Sequence, residues 1–253
     1  MAFWQAFFFS APGLVFVAFY GAATGSFLNV VAYRLPRGIS TVTPRSRCPR
    51  CAAAIRPWHN LPVFGWLLLG GRCRDCRGKI SPRYPLVEAV TGALFVFSFL
   101  QQPDFWRALL SCAIAAWTLV LALIDFDLHV LPDSLTLPAL AAGLGMAAFT
   151  GSFPERLATA LAVYIGLGVL AAGWRWKFRE EGLGSGDLRF AAALGAFFGG
   201  ETLLQILLAA AAIALLMALL PHPKSPDRSQ PLGTALGLVT LVYLLAFSPP
   251  LWP

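Results

Sequence analysis

Asp125 and Asp187 are the residues of this chain best placed to do chemistry, because each carboxylate stands where charge is costly. Asp125 closes the apolar run 105–124 in the segment Ala122-Leu123-Ile124-Asp125-Phe126-Asp127. Asp187 follows Gly184-Ser185-Gly186 and opens the run 188–200. Ionisable groups at membrane depth are rare, face a bundle interior or a wet cavity, and mark functional sites by default. Two at one depth can divide a single proton. One then takes a proton from water while the other, protonated, polarises a carbonyl, which is the chemistry of aspartic proteolysis.

A second constellation lies upstream. Cys48-Pro49-Arg50-Cys51 and Cys73-Arg74-Asp75-Cys76 form two C-x2-C pairs, the spacing of a four-thiolate zinc site with sulfurs about 2.3 Å from the metal. Four thiolates leave no open coordination position, so such a zinc folds the loop and does not catalyse. Cys112 stands alone within an apolar run and reads as core packing.

Other acids compete with the first aspartate. Asp127 lies nearer the loop and is wetter, and Asp133, after Pro132 and before Ser134-Leu135-Thr136-Leu137, reads as a helix N-cap. His129 is a lone loop histidine that could assist. Gly184 and Gly186 leave room beside Asp187 for an extended peptide backbone, the form a protease must receive. The plainer alternative is a flexible glycine loop with Asp187 capping the next helix.

The elements that must position these groups are membrane helices. Hydrophobic residues make up 58% of the 253-residue chain and charged residues 12%, against about 45–50% and 25% in soluble domains. Spans of about 20 apolar residues fit eight segments, near 7–31, 84–100, 105–124, 134–150, 156–174, 188–200, 202–220 and 232–248, of which the sixth is short. The runs are too continuous for a barrel's alternating strands, so the predicted fold is an all-α polytopic bundle. The first segment has no preceding Lys or Arg and is expected to be retained, not cleaved as a signal. Three parts follow: a first transmembrane helix over 1–32, a four-cysteine loop over 33–83, and a transmembrane domain over 84–253.

The net charge of +7 invites a nucleic-acid partner, but its placement argues for topology instead. Of the 19 basic residues, 17 fall in the large loop and the other connections on its side, and only Arg107 and Arg156 fall opposite. The positive-inside rule puts the loop in the cytoplasm and both termini outside. Asp125 and Asp187 are 62 residues apart, room for two spans of about 20 residues and their connections. Both carboxylates therefore return to the cytoplasmic face. The connection 221–231 is polar and proline-rich and reads as an exposed loop without chemistry.

Ile124-Asp125-Phe126-Asp127, Leu131-Pro132-Asp133-Ser134-Leu135-Thr136-Leu137-Pro138 and Gly182-Leu183-Gly184-Ser185-Gly186-Asp187 together resemble the type IV prepilin peptidases, bacterial inner-membrane aspartic peptidases of the GxGD class. Gly25-Ser26-Phe27-Leu28-Asn29 through Tyr33-Arg34-Leu35-Pro36, and Ile80-Ser81-Pro82-Arg83-Tyr84-Pro85-Leu86-Val87-Glu88, fit the same family. The resemblance runs from about residue 21 to about 200. It implies Asp125 and Asp187 as the catalytic pair, and prepilin or pseudopilin substrates cut on the cytoplasmic side after a glycine. It further implies N-methylation of the new N-terminus with S-adenosylmethionine. For that step Arg83, Tyr84, Glu88 and Asn29 are the candidates, although Glu88 could simply pair with an arginine at the membrane boundary. Arg189 stands where the family commonly has lysine, and His59-Asn60-Leu61-Pro62 replaces a more usual acidic-Asn-Ile-Pro. The rival reading is an ion- or proton-coupled transporter with a cytoplasmic zinc module, since intramembrane carboxylates also line ion pathways.

Overall fold

A computed structural model describes residues 7–102, 104–179, 183–219 and 232–247. Gly182 and the connection 221–231 lie outside the described residues. All eight apolar segments are helical, and among the described residues there is no strand, only two isolated bridges in the cysteine loop. Among the described residues, four helical segments are long and apolar enough to cross a membrane: Ala11–Arg37, Arg83–Gln101, Phe105–Leu128 and Phe153–Phe178. Asp133–Phe149, Gly200–Leu216 and Leu232–Ala246 are apolar but shorter. The chain packs as two compact units, Met1–Ala116 and Trp117–Pro253.

In the first unit, α1 (Ala11–Arg34) packs along α3 (Arg83–Gln101), with the five-residue α2 (Phe64–Leu68) in the loop between them. Ser10 caps α1 and Pro12 sits in its first turn, the position where a missing N–H does no harm. Small residues set the approach of α1 to α3. A Cβ at Gly25 would meet Thr91 Oγ1 at 2.7 Å, and one at Gly92 would meet the Ala18 carbonyl at 2.9 Å. Close backbone contact through small residues is how helices associate when lipid removes the hydrophobic drive between them. At the other end Val17, Phe95, Phe99, Ala108 and Cys112 form a buried cluster, the lone Cys112 donating its thiol to the Phe95 carbonyl.

The second unit begins within α4 (Phe105–Leu128) and continues through α5 (Asp133–Phe149), α6 (Phe153–Phe178), α7 (Ser185–Phe198), α8 (Gly200–Leu219) and α9 (Leu232–Phe247). Helix α7 is its axis: every residue from Phe190 to Phe198 is buried, and α5, α6, α8 and α9 all touch it. The ring of Trp117 packs edge-on to Phe190 at 5.3 Å and donates its Nε1–H to the Leu135 carbonyl at 3.0 Å. Helix α6 is the opposite case. Leu161, Ile165, Val169 and Leu170 are all more than half exposed. An apolar face of that size is stable in lipid and a liability in water.

Candidate active site

Asp125 lies in the last turn of α4, and the helix stops just beyond it. His129 adopts a left-handed conformation with φ 54°, and its N–H closes the helix on the Asp125 carbonyl at 2.8 Å. Although three residues from a helix end, Asp125 is only 5% exposed. What covers it is the start of α9. The Thr234 N–H donates to Asp125 Oδ2 at 2.6 Å and the Thr234 hydroxyl donates to the same oxygen at 2.9 Å. A Cβ at Gly233 would lie 2.9 Å from the Asp125 Cγ. Glycine is therefore what lets α9 begin against the carboxyl.

Asp187 is the third residue of α7. Its Oδ2 accepts the Gly184 N–H at 3.1 Å, and its own N–H reaches back to the Gly184 carbonyl at 3.1 Å. The capping role read from the sequence is thus real, but it occupies one oxygen only. Asp187 Oδ1 is buried and has no hydrogen-bond partner among the described residues.

Leu131, in the connection after α4, links the two carboxylates. It is 8% exposed, and its side chain faces Gly233 while its Cβ and carbonyl face Gly186. Cβ atoms at those glycines would meet Leu131 at 3.0 Å and 2.8 Å respectively. The residue before Asp187 and the residue beside Asp125 therefore press on the same leucine. The two carboxyl groups are electrostatic neighbours, the charge of Asp125 being felt at Asp187.

The competing acids sort as expected in one case and not in the other. Asp127 is exposed. Asp133 is not the N-cap of α5: that position is Pro132, and Asp133 is the first helical residue. Its carboxylate is held by the Arg189 guanidinium, an ion pair tying the first turn of α5 to the second turn of α7. A cation across the gap competes successfully with a local N–H for an exposed carboxylate.

The four cysteines of the first unit also meet. All four Sγ atoms lie within 4.8 Å of one another, with Cys48 to Cys76 at 3.8 Å and Cys51 to Cys73 at 4.0 Å. Sulfurs placed tetrahedrally at about 2.3 Å from a zinc would be about 3.8 Å apart. The donor set fits a metal. Two knuckles of one design hold it. The Ala52 N–H donates to the Cys48 carbonyl and the Cys48 N–H to that of Ala53; Arg77, Cys73 and Gly78 repeat the pattern. Both turns pass through a left-handed residue, Ala52 at φ 56° and Arg77 at φ 57°.

Without a cation the cluster ionises unevenly. The backbone N–H groups of Cys51 and Arg50 pull the Cys48 thiol down to about 6. The Ala53 N–H acts likewise on Cys51, but desolvation and the sulfurs of Cys48, Cys76 and Cys73 outweigh it and push that thiol up to about 12. Neighbouring thiolates repel, and only a bound cation lets all four carry charge.

Asn29, Tyr84 and Glu88 gather on α1 and α3. Asn29 is buried and donates its Nδ2–H to the carbonyls of Gly25 at 3.2 Å and Tyr84 at 3.5 Å. Glu88 is buried and accepts the Val63 N–H at 2.6 Å, clamping the turn that opens α2. Arg83 begins α3, beside the half-exposed Tyr84 ring. Two residues of the carboxylate site, Thr234 and Gly233, carry no motif in the sequence, and Leu131 enters there only as the first residue of the stretch 131–138. The available signal is a Gly-Thr pair at the start of an apolar segment, where a backbone N–H is free to cap an acid.

Residues 19–102 match the model of the bacterial peptidase A24 N-terminal domain, and residues 112–219 match that of the type IV leader peptidase family. The chain belongs to that family. A prepilin leader peptidase/N-methyltransferase of Myxococcus xanthus is 38% identical over 250 residues, covering 94% of this chain and 74% of its own length. A type 4 prepilin-like proteins leader peptide-processing enzyme of Escherichia coli O78:H11 is 36% identical, covering 89% of this chain and 92% of its own. A Klebsiella pneumoniae prepilin leader peptidase/N-methyltransferase is 42% identical over 209 residues. No solved structure matches the chain. The stretch matched to the peptidase model spans Asp125 and Asp187, and the stretch matched to the N-terminal model spans the four cysteines.

Proposed function

We propose that this protein is a prepilin peptidase of the bacterial inner membrane that cuts the short basic leader from prepilins or pseudopilins with Asp125 and Asp187. The observation that carries the reading is the matched pair of half-tied carboxyls. Each aspartate has Oδ2 held by a backbone N–H, from Thr234 and from Gly184, while Asp187 Oδ1 stays buried and unpartnered. Side chains so fixed cannot turn away, and each keeps an oxygen for the reaction.

One carboxylate takes a proton from a water whose oxygen attacks the scissile carbonyl carbon. The other, protonated, donates to the carbonyl oxygen as it gains charge. The tetrahedral centre then collapses and the C–N bond breaks: the proton held by the first aspartate passes to the leaving amine, and the second aspartate takes its proton back from the new carboxyl group. The pair titrates as a unit.

On this reading the catalytic end faces the cytoplasm, residues 33–83 form a zinc-folded cytoplasmic loop held by Cys48, Cys51, Cys73 and Cys76, and residues 84–253 form the peptidase domain. The names of the relatives support a second activity, methylation of the newly exposed amine. S-adenosylmethionine would supply the methyl group from a sulfonium cation. A half-exposed aromatic ring at Tyr84 one turn from the Glu88 carboxylate suits such a cation, and Arg83 and Asn29 stand at the same end of α1 and α3.

The test uses the full-length protein with a purified prepilin, with and without S-adenosylmethionine, and reads product masses. Loss of the leader plus one methyl increment is expected. Asp125→Asn and Asp187→Asn should each abolish cleavage while the protein remains inserted and folded. Full activity in either variant removes that residue from the reaction, and leader loss without a methyl increment removes the transferase.

A further inference from the structure

The Thr234 hydroxyl has two acceptors within reach, Asp125 Oδ2 at 2.9 Å and the Ala122 carbonyl at 3.3 Å, and only one proton to give. The Thr234 N–H already occupies the same Oδ2 at 2.6 Å. Thr234 is itself buried, 6% exposed, so water does not substitute for either contact. Two donors on one carboxylate oxygen stabilise the ionised form and leave no lone pair there well placed for a third proton.

We infer that Thr234 is a positioning residue that keeps Asp125 the ionised member of the pair and confines its reactive proton to Oδ1. This rests on the dyad reading above. With Asp125 ionised, the hydroxyl donates to Oδ2. When Asp125 holds the proton taken from water, that proton sits on Oδ1, and the hydroxyl can swing to the Ala122 carbonyl. The two-acceptor geometry thus serves both states of the cycle with no heavy atom moving. Among the described residues, His129, one turn on, is felt at Asp125, and Asp125 is felt at Asp187. Asp187 has a single donor, the Gly184 N–H, which leaves it the member better suited to begin the cycle protonated.

The test is Thr234→Val, which keeps the shape and the backbone N–H and removes only the hydroxyl, compared with Thr234→Ser. Both are assayed as full-length protein in detergent on a purified prepilin, with kcat and KM followed across pH. Loss of one donor to a charged acceptor should move the acid limb of the kcat profile upward by about one pH unit. At pH values below that limb kcat should fall by up to about tenfold with KM unchanged, and Thr234→Ser should restore both. A valine variant with the wild-type kcat and pH profile overturns the inference, as does a serine variant as impaired as valine, since the methyl would then be what matters. If the valine variant does not fold, Thr234→Ala is read by the same criteria. Asp125→Asn and Asp187→Asn are run alongside: activity in either sinks the dyad itself, whereas two dead asparagine variants with an unaffected valine variant sink only the role of Thr234.

Discussion

Replacing Gly233 by alanine would test the site more severely than its chemistry suggests. Gly233 lies in the first turn of α9, where alanine is ordinarily the better helix former by about 1 kcal/mol. Here the added Cβ would sit 2.9 Å from Asp125 Cγ, 3.1 Å from its Oδ2 and 3.0 Å from Leu131 Cδ1. Carbon atoms prefer about 3.5 Å or more, so the carboxyl must retreat by about 0.6 Å. Overpacking of that kind costs about 1–3 kcal/mol, which cancels or exceeds the propensity gain. A catalytic group tolerates about 0.5 Å of misplacement, and about 1 Å can cost a hundredfold.

Gly233→Ala is therefore expected to lower kcat by about tenfold to a hundredfold, with KM little changed, because the group that moves is the reacting one. Gly186→Ala should behave alike for a different reason. Its Cβ would meet the Cβ and carbonyl of Leu131 at 2.8 and 3.1 Å, and backbone cannot step aside as a flexible side chain can. Gly145→Ala on α5, where an added Cβ finds nothing within 4 Å, is the control and should keep wild-type turnover. Leader cleavage is measured by mass on detergent-purified protein, normalised to the folded fraction from thermal unfolding. Wild-type kcat in Gly233→Ala and Gly186→Ala would refute the reasoning. So would a loss of turnover fully explained by a smaller folded fraction.

Two further outcomes concern the loop. Metal analysis should find about one zinc per chain, and stripping it with a strong chelator, or changing Cys73 to serine, should speed trypsin cleavage at Arg72 and Arg74, since a four-thiolate site folds what it binds. Unchanged proteolysis of metal-free protein would remove the metal from the loop's stability. Glu88→Ala should also loosen the loop, because it strands the part-buried Val63 N–H, at a cost of about 1 kcal/mol, while Glu88→Gln keeps an acceptor there and should not. Equal proteolysis of the two variants would refute the clamp, and a Glu88→Gln protein with a firm loop but no methyl transfer would place the charge itself in that reaction.

Much of the molecule is legible in residue types because the bilayer leaves few options. Apolar runs must be helices, and the segment read near 105–124 emerges as Phe105–Leu128, that near 156–174 as Phe153–Phe178. The helix count is legible; that each helix crosses is not, since α7 has 14 residues. The meeting of four cysteines follows from spacing. The left-handed turns that achieve it, at Ala52 and Arg77, do not, because neither residue is the glycine or asparagine that advertises positive φ. Asp133 misled for a related reason. A residue after proline and before an apolar run looks like a cap, and only the tertiary partner Arg189 says otherwise. Thr234 was invisible because half of its contribution is a backbone N–H, which every residue but proline has.

The two helix ends give the site a polarity that Thr234 must oppose. Asp187 stands at the N-terminus of α7, where the helix dipole favours a negative charge, and Asp125 stands at the C-terminus of α4, where it disfavours one. Each effect is worth about 0.3–1 kcal/mol, so together they would ionise Asp187 first. Asp125 has one more donor than Asp187, and a hydrogen bond to a charged group is worth about 1.5–3 kcal/mol. The extra bond outweighs the dipoles, though not by much. On the proposed roles the hydroxyl of one threonine therefore decides which aspartate holds the proton, and removing it leaves the two dipoles to favour Asp187 as the ionised member by about 0.6–2 kcal/mol, which inverts the roles.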